Sequence, residues 1–247
     1  MTGHLRPTAT IAADVLLPSD PGAALALAQE LLEKPLMANH SHGLWGYSGR
    51  THGGSSLTIQ STGIGGPSAA AVIAELHAHG CRRAIRVGRA TALDPALGAG
   101  DLVLVSRALA ADGTSQALDV DAPRADRSLT AALGLALGTG TGAPAHPLTV
   151  ASSDLFHDPA AAPRRAAWLS AGAAVADLES AAVLALGMRL SMPVACALVV
   201  FESASGQHDE PAVQRGLSTL ASAAAAAFTA TAVDPVQASD SGTASLL

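Results

Sequence analysis

The sequence predicts an α/β fold: a single domain in three α/β/α layers, with a central mixed, partly parallel sheet flanked by helices. Two observations carry this prediction. Short apolar runs alternate with alanine-rich runs along most of the chain. The 247 residues are 49% hydrophobic and only 14% charged, which excludes a disordered chain and supplies enough apolar surface for one large core.

Strands are predicted where short apolar runs lie between turn residues. The most apolar stretch, residues 190–201, contains Pro193 and is too short to cross a bilayer, so we interpret it as a buried strand. The predicted strands are residues 11–17, 57–60, 82–87, 101–108, 145–151, 173–176 and 194–201.

Helices are predicted from the longer alanine-rich runs, whose small side chains favour close packing. The predicted helices are residues 21–32, 68–79, 125–137, 164–171, 179–189 and 213–231. The segment Gly-Thr-Gly-Thr-Gly at 138–142 is predicted to be a flexible connector. We expect residues 1–233 to form the domain and the polar, small residues 234–247 to be a disordered tail.

Composition limits the partners. The formal net charge is −6 and no long basic run occurs, so neither nucleic acid nor an anionic membrane is expected to bind, and a small molecule is favoured. The beginning of the sequence lacks the pattern of a secretory signal. Cys81 and Cys196 have no metal-ligand spacing and are predicted to be buried free thiols, which fits a reducing cytoplasm. The low charge content favours an oligomer.

Four loops that follow predicted strands carry polar or glycine-rich sequence. They are residues 18–22, 61–68, 86–91 and 177–180. The second loop reads STGIGGPS and precedes a predicted helix, whose N-terminal N–H groups suit an anion or polar ligand. Because ligands gather at the carboxyl ends of parallel strands, the four loops predict a site for a substrate that combines hydroxyl groups with a phosphate.

In this order, the loops resemble those of the nucleoside phosphorylase superfamily, which includes uridine phosphorylases and hexameric purine nucleoside phosphorylases. The resemblance runs from His4 to about Phe201. STGIGGPS resembles the uridine enzymes, whereas SSDLFHDP at 152–159 resembles the purine enzymes. ADLESAAVLALG at 176–187 resembles the family's Glu-Met-Glu segment, with Asp177 and Leu178 in place of its first two residues.

The resemblance implies reversible cleavage of an N-glycosidic bond, in which phosphate attacks the anomeric carbon while the base departs. Inorganic phosphate is then a co-substrate, and no cofactor or metal is implied. The family also suggests a homo-oligomer, with a dimer as its minimal unit and a hexamer as a trimer of dimers.

The resemblance assigns six residues to the nucleoside: His4, Gly65, Phe156, Asp177, Leu178 and Glu179. Glu179 would accept hydrogen bonds from the ribose hydroxyls, and the alternative is a charge at a helix N-terminus. Phe156 would stack on the base, and the alternative is core packing. Leu178 would lie beneath the sugar, and the loop that contains Gly65 would lie against the nucleoside. His4 would reach a neighbouring subunit's site, or be disordered.

Four residues are assigned to phosphate: Arg86, Arg89, Ser19 and His42. Arg86 corresponds to the family's phosphate-binding arginine, and the alternative is a solvated strand end. The other positions depart from the family pattern. Ser19 replaces a glycine, His42 aligns with an arginine that enters from the adjacent subunit, and Arg89 replaces a serine or threonine. Where the family has a further arginine, this sequence has Ala23.

The residues that would serve the base also depart from the pattern. In the purine enzymes an aspartate protonates the leaving base, and that position is Ser203 here, with Glu202 beside it. Glu202 is the candidate acid if its loop shifts, and a surface or capping role is the alternative. The uracil-binding glutamine and arginine of uridine phosphorylases align with residues 159–162. Arg164 and Arg165 just beyond are candidate substitutes, and the alternative, which we favour, is a pair of exposed arginines at a helix start. The base is therefore left open.

Three functions remain open at this point. The first is a nucleoside phosphorylase that holds phosphate with Arg86 and Arg89. The second is a nucleoside hydrolase of the same fold, in which water replaces phosphate. The third is a noncatalytic nucleoside-binding protein, in which Ser203 marks the loss of the acid.

Overall fold

The computed structural model describes residues 3–141 and 147–231. The strands in these ranges are β1 (Asp14–Leu17), β2 (Leu32–Asn39), β3 (Gly46–Thr51), β4 (Ser56–Gln60), β5 (Arg83–Ala92), β6 (Leu102–Ala111), β7 (Leu148–Ser153), β8 (Ala173–Asp177) and β9 (Val194–Glu202). The helices are α1 (Pro21–Leu31), α2 (Gly66–Ala78), α3 (Gly113–Ala117), α4 (Arg127–Thr141), α5 (Ala161–Ser170), α6 (Ser180–Arg189) and α7 (Glu210–Ala230).

The strands form a mixed sheet in the order β2-β3-β4-β1-β5-β8-β7-β6-β9. β2, β3 and β4 are antiparallel, and β1 lies parallel to both β4 and β5. β5 also pairs in parallel with β9, and β9 pairs with β6. β6 pairs with β7, β7 pairs with β8, and β8 pairs with the end of β5 at Thr91 and Ala92. The five strands β5, β9, β6, β7 and β8 therefore close into a ring.

Helices cover the sheet on two faces. In β1, Val15 and Leu17 face the core beneath α2 and α6, whereas Leu16 faces the core beneath α1, α4 and α7. This alternation follows from the two-residue period of a strand. The predicted three-layer α/β/α fold with a mixed central sheet is confirmed.

The structure contains elements that the sequence did not predict, namely β2, β3 and α3. β2 contains a proline, and its pairing with β3 has two register shifts, so its apolar residues do not alternate regularly. The predicted connector at 138–142 is wrong for residues 138–141, because α4 continues to Thr141. The packed residues of α4 reach Leu137, and the helix runs four residues past them despite the low helix propensity of glycine. The predicted tail, 234–247, lies outside the described residues.

Two further features bear on the sequence-based expectations. Both cysteines, Cys81 and Cys196, are free and buried, as predicted. Within residues 3–141 and 147–231, no helix combines the length and the hydropathy needed to cross a bilayer.

Two leucines of α4 test the packing of the sheet. Leu133 is fully buried, whereas Leu135 is 74% exposed. We expect Leu133→Ala to lower the free energy of unfolding by about 2–5 kcal/mol, because it removes buried methyl groups and leaves a cavity. Leu135→Ala on the same helix should change it by less than about 0.5 kcal/mol. Urea denaturation measures both, and equal losses would contradict the assignment of Leu133 to the core.

Candidate active site

A cavity of about 480 Å³ opens where the carboxyl ends of β1, β5 and β8 meet. Its wall includes Ser19 after β1, Arg89 on β5, and Asp177, Leu178 and Glu179 at the end of β8. Ile64 of the glycine-rich loop lines the cavity as well. All four loops that the sequence analysis singled out therefore contribute to one cavity. The cavity is the candidate active site.

Arg86 lies beneath this cavity rather than in its wall, and its side chain is fully buried. Nε donates to Ser180 Oγ (3.1 Å), and Nη1 donates to Ser19 Oγ (2.9 Å). Nη2 donates to Asp177 Oδ2 (3.1 Å) and to Glu179 Oε2 (2.7 Å). Of the five guanidinium N–H donors, only one on Nη1 is left for a ligand.

The position of Arg86 follows from the strand that carries it. Residues 84, 86 and 90 of β5 share one face, so Arg86 points toward α2 and α6. Gly88 on the same face gives the guanidinium room, because a Cβ atom there would lie 2.8 Å from Nη2. Burial works to lower the pKa of Arg86, but the charges of Glu179 and Asp177 outweigh it and raise that pKa above its ordinary value.

Asp177 fixes the junction between β8 and α6. Its carboxylate accepts hydrogen bonds from Ser152 Oγ (2.6 Å) and Ser180 Oγ (2.6 Å), and from the backbone N–H of Ser180. Ser180 Oγ also lies 3.3 Å from Cys196 Sγ, and burial raises the pKa of the Cys196 thiol to about 12. Asp177 is therefore heavily bonded within the protein, although it also contacts the cavity.

Glu179 joins the arginine to the glycine-rich loop. Its Oε1 accepts the backbone N–H of Gly65 (2.9 Å), and its Oε2 accepts Arg86 Nη2. Gly65 has φ 86°, a conformation that favours glycine and turns this N–H toward the carboxylate. Burial raises the pKa of Glu179 above its ordinary value of 4.5, and the charge of Arg86 opposes this rise.

Arg89, which also lines the cavity, is already paired with a carboxylate. Arg89 forms two hydrogen bonds with the Glu210 carboxylate, at 2.8 and 3.2 Å. Asp20 lines the cavity and caps α1, where it accepts the N–H of Ala23 (2.7 Å). Each of the two arginines assigned to phosphate thus has at least one carboxylate partner already.

The opposite end of the cavity is aromatic. The Phe156 ring stacks on Phe201 with centroids 5.9 Å apart and an interplanar angle of 28°. Phe156 is nevertheless 52% exposed, so a face of the ring is available to a ligand and core packing does not account for it. Trp168, which the sequence analysis did not single out, lines this end together with Leu155. Its signal was its rarity, because the chain has only two tryptophans.

Besides Arg86, four predicted residues lie outside the cavity wall: Gly65, which contacts Glu179 as described above, and Glu202, His4 and His42. Glu202 ends β9, and the next residue, Ser203, is held in a turn by Gln207. His4 and His42 are exposed, with ring centroids 5.4 Å apart, and His4 Nδ1 lies 2.8 Å from Glu75 Oε1. The structure therefore brings the two histidines together on the surface, at a place separate from this chain's own cavity.

The residues that sequence reasoning missed include Ser152 and Ser180, the buried partners of Asp177. A weak signal existed for Ser180, since it directly follows Glu179 at a helix start. Nothing in the pattern around Ser152 indicates its contact with residue 177.

Comparison with known proteins bears on the family of the chain. The family model described as "Phosphorylase superfamily" matches residues 14–234. A purine nucleoside phosphorylase of the DeoD type from Streptococcus suis is 27% identical over 216 residues, which cover 85% of this chain and 90% of the relative. One from Streptococcus pyogenes is 35% identical over 153 residues, which cover 60% of this chain and 63% of the relative. One from Clostridium perfringens is 39% identical over 95 residues, which cover 38% of this chain and 40% of the relative.

Arg86→Met tests the buried ion cluster. The substitution leaves Asp177 and Glu179 buried without their counter-ion, and we expect the free energy of unfolding to fall by about 3–5 kcal/mol. Arg89→Met is the matched control, because the Arg89 side chain is 41% exposed and its ion pair should contribute about 0–1 kcal/mol. Guanidinium chloride denaturation compares them. If the two variants lose the same stability, the cluster does not hold the site together.

Proposed function

The chain belongs to the phosphorylase superfamily, and from that premise we propose that it is a nucleoside phosphorylase. In this reaction inorganic phosphate attacks the anomeric carbon of a nucleoside, the N-glycosidic bond breaks, and the products are a free base and a sugar 1-phosphate. The enzyme is a pentosyltransferase, and the reaction requires no cofactor besides the phosphate co-substrate.

The buried carboxylate of Glu179 carries this proposal. One donor from the protein contacts each of its oxygens, and an ionised carboxylate has about four acceptor sites. Both oxygens can therefore accept a further hydrogen bond from the cavity. The two hydroxyl groups of a ribose cis-diol match these free sites, and Arg86 and Gly65 hold the carboxylate in place before the sugar arrives. Leu178 lines the cavity beside it and supplies apolar surface for the sugar ring.

The aromatic end of the cavity supports a planar base. Phe156 offers the exposed part of a ring that Phe201 already supports from the other side. Stacking on such a ring is favourable for any base, because every base has a π face. Glu179 and Phe156 line the same cavity, as the sites for the sugar and the base of one nucleoside must.

Ser19 and Arg89 are the two residues assigned to phosphate that line the cavity. Ser19 Oγ accepts from Arg86, so its own hydroxyl hydrogen is free to donate to an anion. Arg86 lies beneath the wall and contributes through its hydrogen bond to Ser19 and through the one N–H on Nη1 that remains free. Arg89 can contact phosphate if the anion replaces Glu210, whose side chain is 58% exposed.

Hydrolysis is a second candidate function, and the charges around the cavity favour it. Arg86 faces two carboxylates and Arg89 faces one, and Asp20 adds another negative charge to the wall. A dianion is held tightly only by several charge-assisted contacts that are not already satisfied. Water needs no such contacts, and it could attack the anomeric carbon from the same position.

Proton transfer to the leaving base is assigned to Glu202 in this proposal. Because Glu202 is not in the cavity wall, it must move toward the base when the turn at 203–207 shifts. The resemblance to uridine phosphorylases rests on the glycine-rich loop alone, and the proposal leaves the choice between a purine and a pyrimidine base open.

A homo-oligomer completes the proposal, with a dimer as its minimal unit and a hexamer as a trimer of dimers. His4 and His42 lie side by side on the surface, which suits a pair of residues that enters a neighbouring subunit's site. The free thiols of Cys81 and Cys196 fit a cytoplasmic location.

The decisive experiment is base release with and without phosphate. Purine and pyrimidine nucleosides are incubated with the protein, and base and sugar products are separated by chromatography. We expect base release only with phosphate, together with sugar 1-phosphate. Release of free sugar without phosphate would establish hydrolysis instead. Nucleoside binding without release of any base would favour a noncatalytic protein.

The raised pKa of Glu179 predicts an acid limit on activity. Glu179 accepts both hydroxyls only when ionised, so kcat/KM should fall as the pH falls through a pKa above the ordinary value of 4.5. Glu179→Gln should lower kcat/KM for ribosides and remove this limb from the pH profile of the remaining activity.

The contribution of Glu179 to the free energy of unfolding changes with pH in the opposite direction and serves as the control. Because the pKa of Glu179 is raised in the folded chain, its contribution to the free energy of unfolding is present below the unfolded pKa and is lost as the pH rises through the folded pKa. A loss of activity on the acid side that merely tracked unfolding would contradict the role of Glu179 as a ribose ligand.

A further inference from the structure

His157 lines the cavity directly after Phe156 and has no role in the reaction described above. Its ring stands almost perpendicular to that of Phe156, with centroids 4.8 Å apart and an interplanar angle of 88°. The histidine is exposed, and among the residues that the structure describes neither ring nitrogen has a hydrogen-bond or ion-pair partner. Both nitrogens are therefore available to a ligand in the cavity.

The carboxylates of the cavity wall are already used as hydrogen-bond acceptors. Asp20 accepts the N–H of Ala23 at the start of α1. Asp158 lies 3.1 Å from an arginine nitrogen and accepts a backbone N–H. Asp177 accepts hydrogen bonds from two serine hydroxyls and an arginine, and the ribose needs Glu179 in its ionised form. An ionised carboxylate is an acceptor only, so these groups hold no proton for a leaving base.

The other polar groups of the wall are too weakly acidic to replace them. Arg89 and Arg165 keep their protons, because a guanidinium is not deprotonated in proteins. The remaining polar side chains are hydroxyls and the indole of Trp168, which are weaker acids still. Imidazole exchanges a proton close to neutral pH, and histidine is the side chain that most often acts as a general acid. Among the described residues that line the cavity, His157 is therefore the one suited to proton transfer.

We propose that His157 is a catalytic residue, the general acid that protonates the base as it leaves. The imidazolium N–H donates its proton to a nitrogen or oxygen of the base while the N-glycosidic bond breaks. The electron pair of that bond stays on the base, which departs neutral, and the anomeric carbon bonds to a phosphate oxygen. The exposed imidazole then regains a proton from water. This inference rests on the proposed function and replaces one step of it, because His157 lies in the wall without the movement that Glu202 requires.

Two nucleosides that differ in their need for a proton test this assignment. The base of guanosine leaves readily only when N7 is protonated. In 7-methylguanosine, N7 already carries a methyl group and a positive charge, so the base leaves neutral without a proton. We expect His157→Gln to lower kcat/KM for guanosine by about 10²- to 10⁴-fold and to leave kcat/KM for 7-methylguanosine close to that of the wild type. A side chain that only packs against Phe156 would affect both substrates equally.

A second pair of substrates serves if the wild type cleaves only pyrimidine nucleosides. Uridine and 5-fluorouridine then take the place of the purine pair, because the fluorine makes the base leave more readily as an anion. We expect His157→Gln to lose more activity on uridine than on 5-fluorouridine.

His208→Gln is the matched control. The His208 ring also lies against the aromatic residues, with its centroid 5.8 Å from that of Phe201, but it is not part of the cavity wall. The ratio of kcat/KM for the two nucleosides should therefore equal that of the wild type. Equal losses on both nucleosides in His157→Gln would overturn the inference. A selective loss on guanosine in Glu202→Gln, with none in His157→Gln, would overturn it as well and return the step to Glu202.

Assays with and without phosphate separate this inference from the proposed function, because the leaving base needs a proton whether phosphate or water attacks. Release of free sugar without phosphate, together with a selective loss in His157→Gln, would contradict a phosphorylase and support the proton donor. Phosphate-dependent release with equal losses on both nucleosides would support the phosphorylase and overturn the role of His157. Absence of base release from every nucleoside would overturn both.

Discussion

The buried charge of Arg86 is the constraint on which the rest of the site depends. A guanidinium removed completely from water is stable only if its charge is compensated and its donors are bonded. Here Asp177 and Glu179 supply the compensation, while Ser19 and Ser180 accept two of the remaining donors. Those partners come from the loop after β1, the end of β8 and the start of α6, and Gly65 joins through Glu179. One side chain on β5 therefore links three other segments: the loop after β1, the junction of β8 and α6, and the glycine-rich loop.

Much of the fold could be predicted from the sequence, because regular elements leave periodic patterns. The run ending at Phe201 is apolar on both faces, as a strand between two layers must be, and it forms β9. β2 could not be recognised in this way. It lies at the sheet edge, most of its middle residues are exposed, and Lys34 has φ 47°. The prediction for residues 138–141 was wrong for another reason, since the helix that begins at Arg127 continues through them against the local preference of glycine.

The site was predictable in its members but less so in its arrangement. Glu179 and Phe156 lie on one cavity, and their motifs in the sequence led to both. That Arg86 lies behind the wall could not be deduced, because it depends on Asp177 and Ser180, about ninety residues away, meeting it in three dimensions. Long-range pairings decide such roles, and a local pattern does not contain them.

The close approach of Gly88 to Arg86 also restricts how this protein can diverge. A Cβ atom at residue 88 would displace a guanidinium that four hydrogen bonds hold in place. The two positions are therefore not free to vary independently. A lineage that first replaced Arg86 with a smaller residue could then accept a side chain at position 88, whereas the reverse order would pass through a disrupted site. We therefore expect glycine at position 88 wherever arginine occupies position 86.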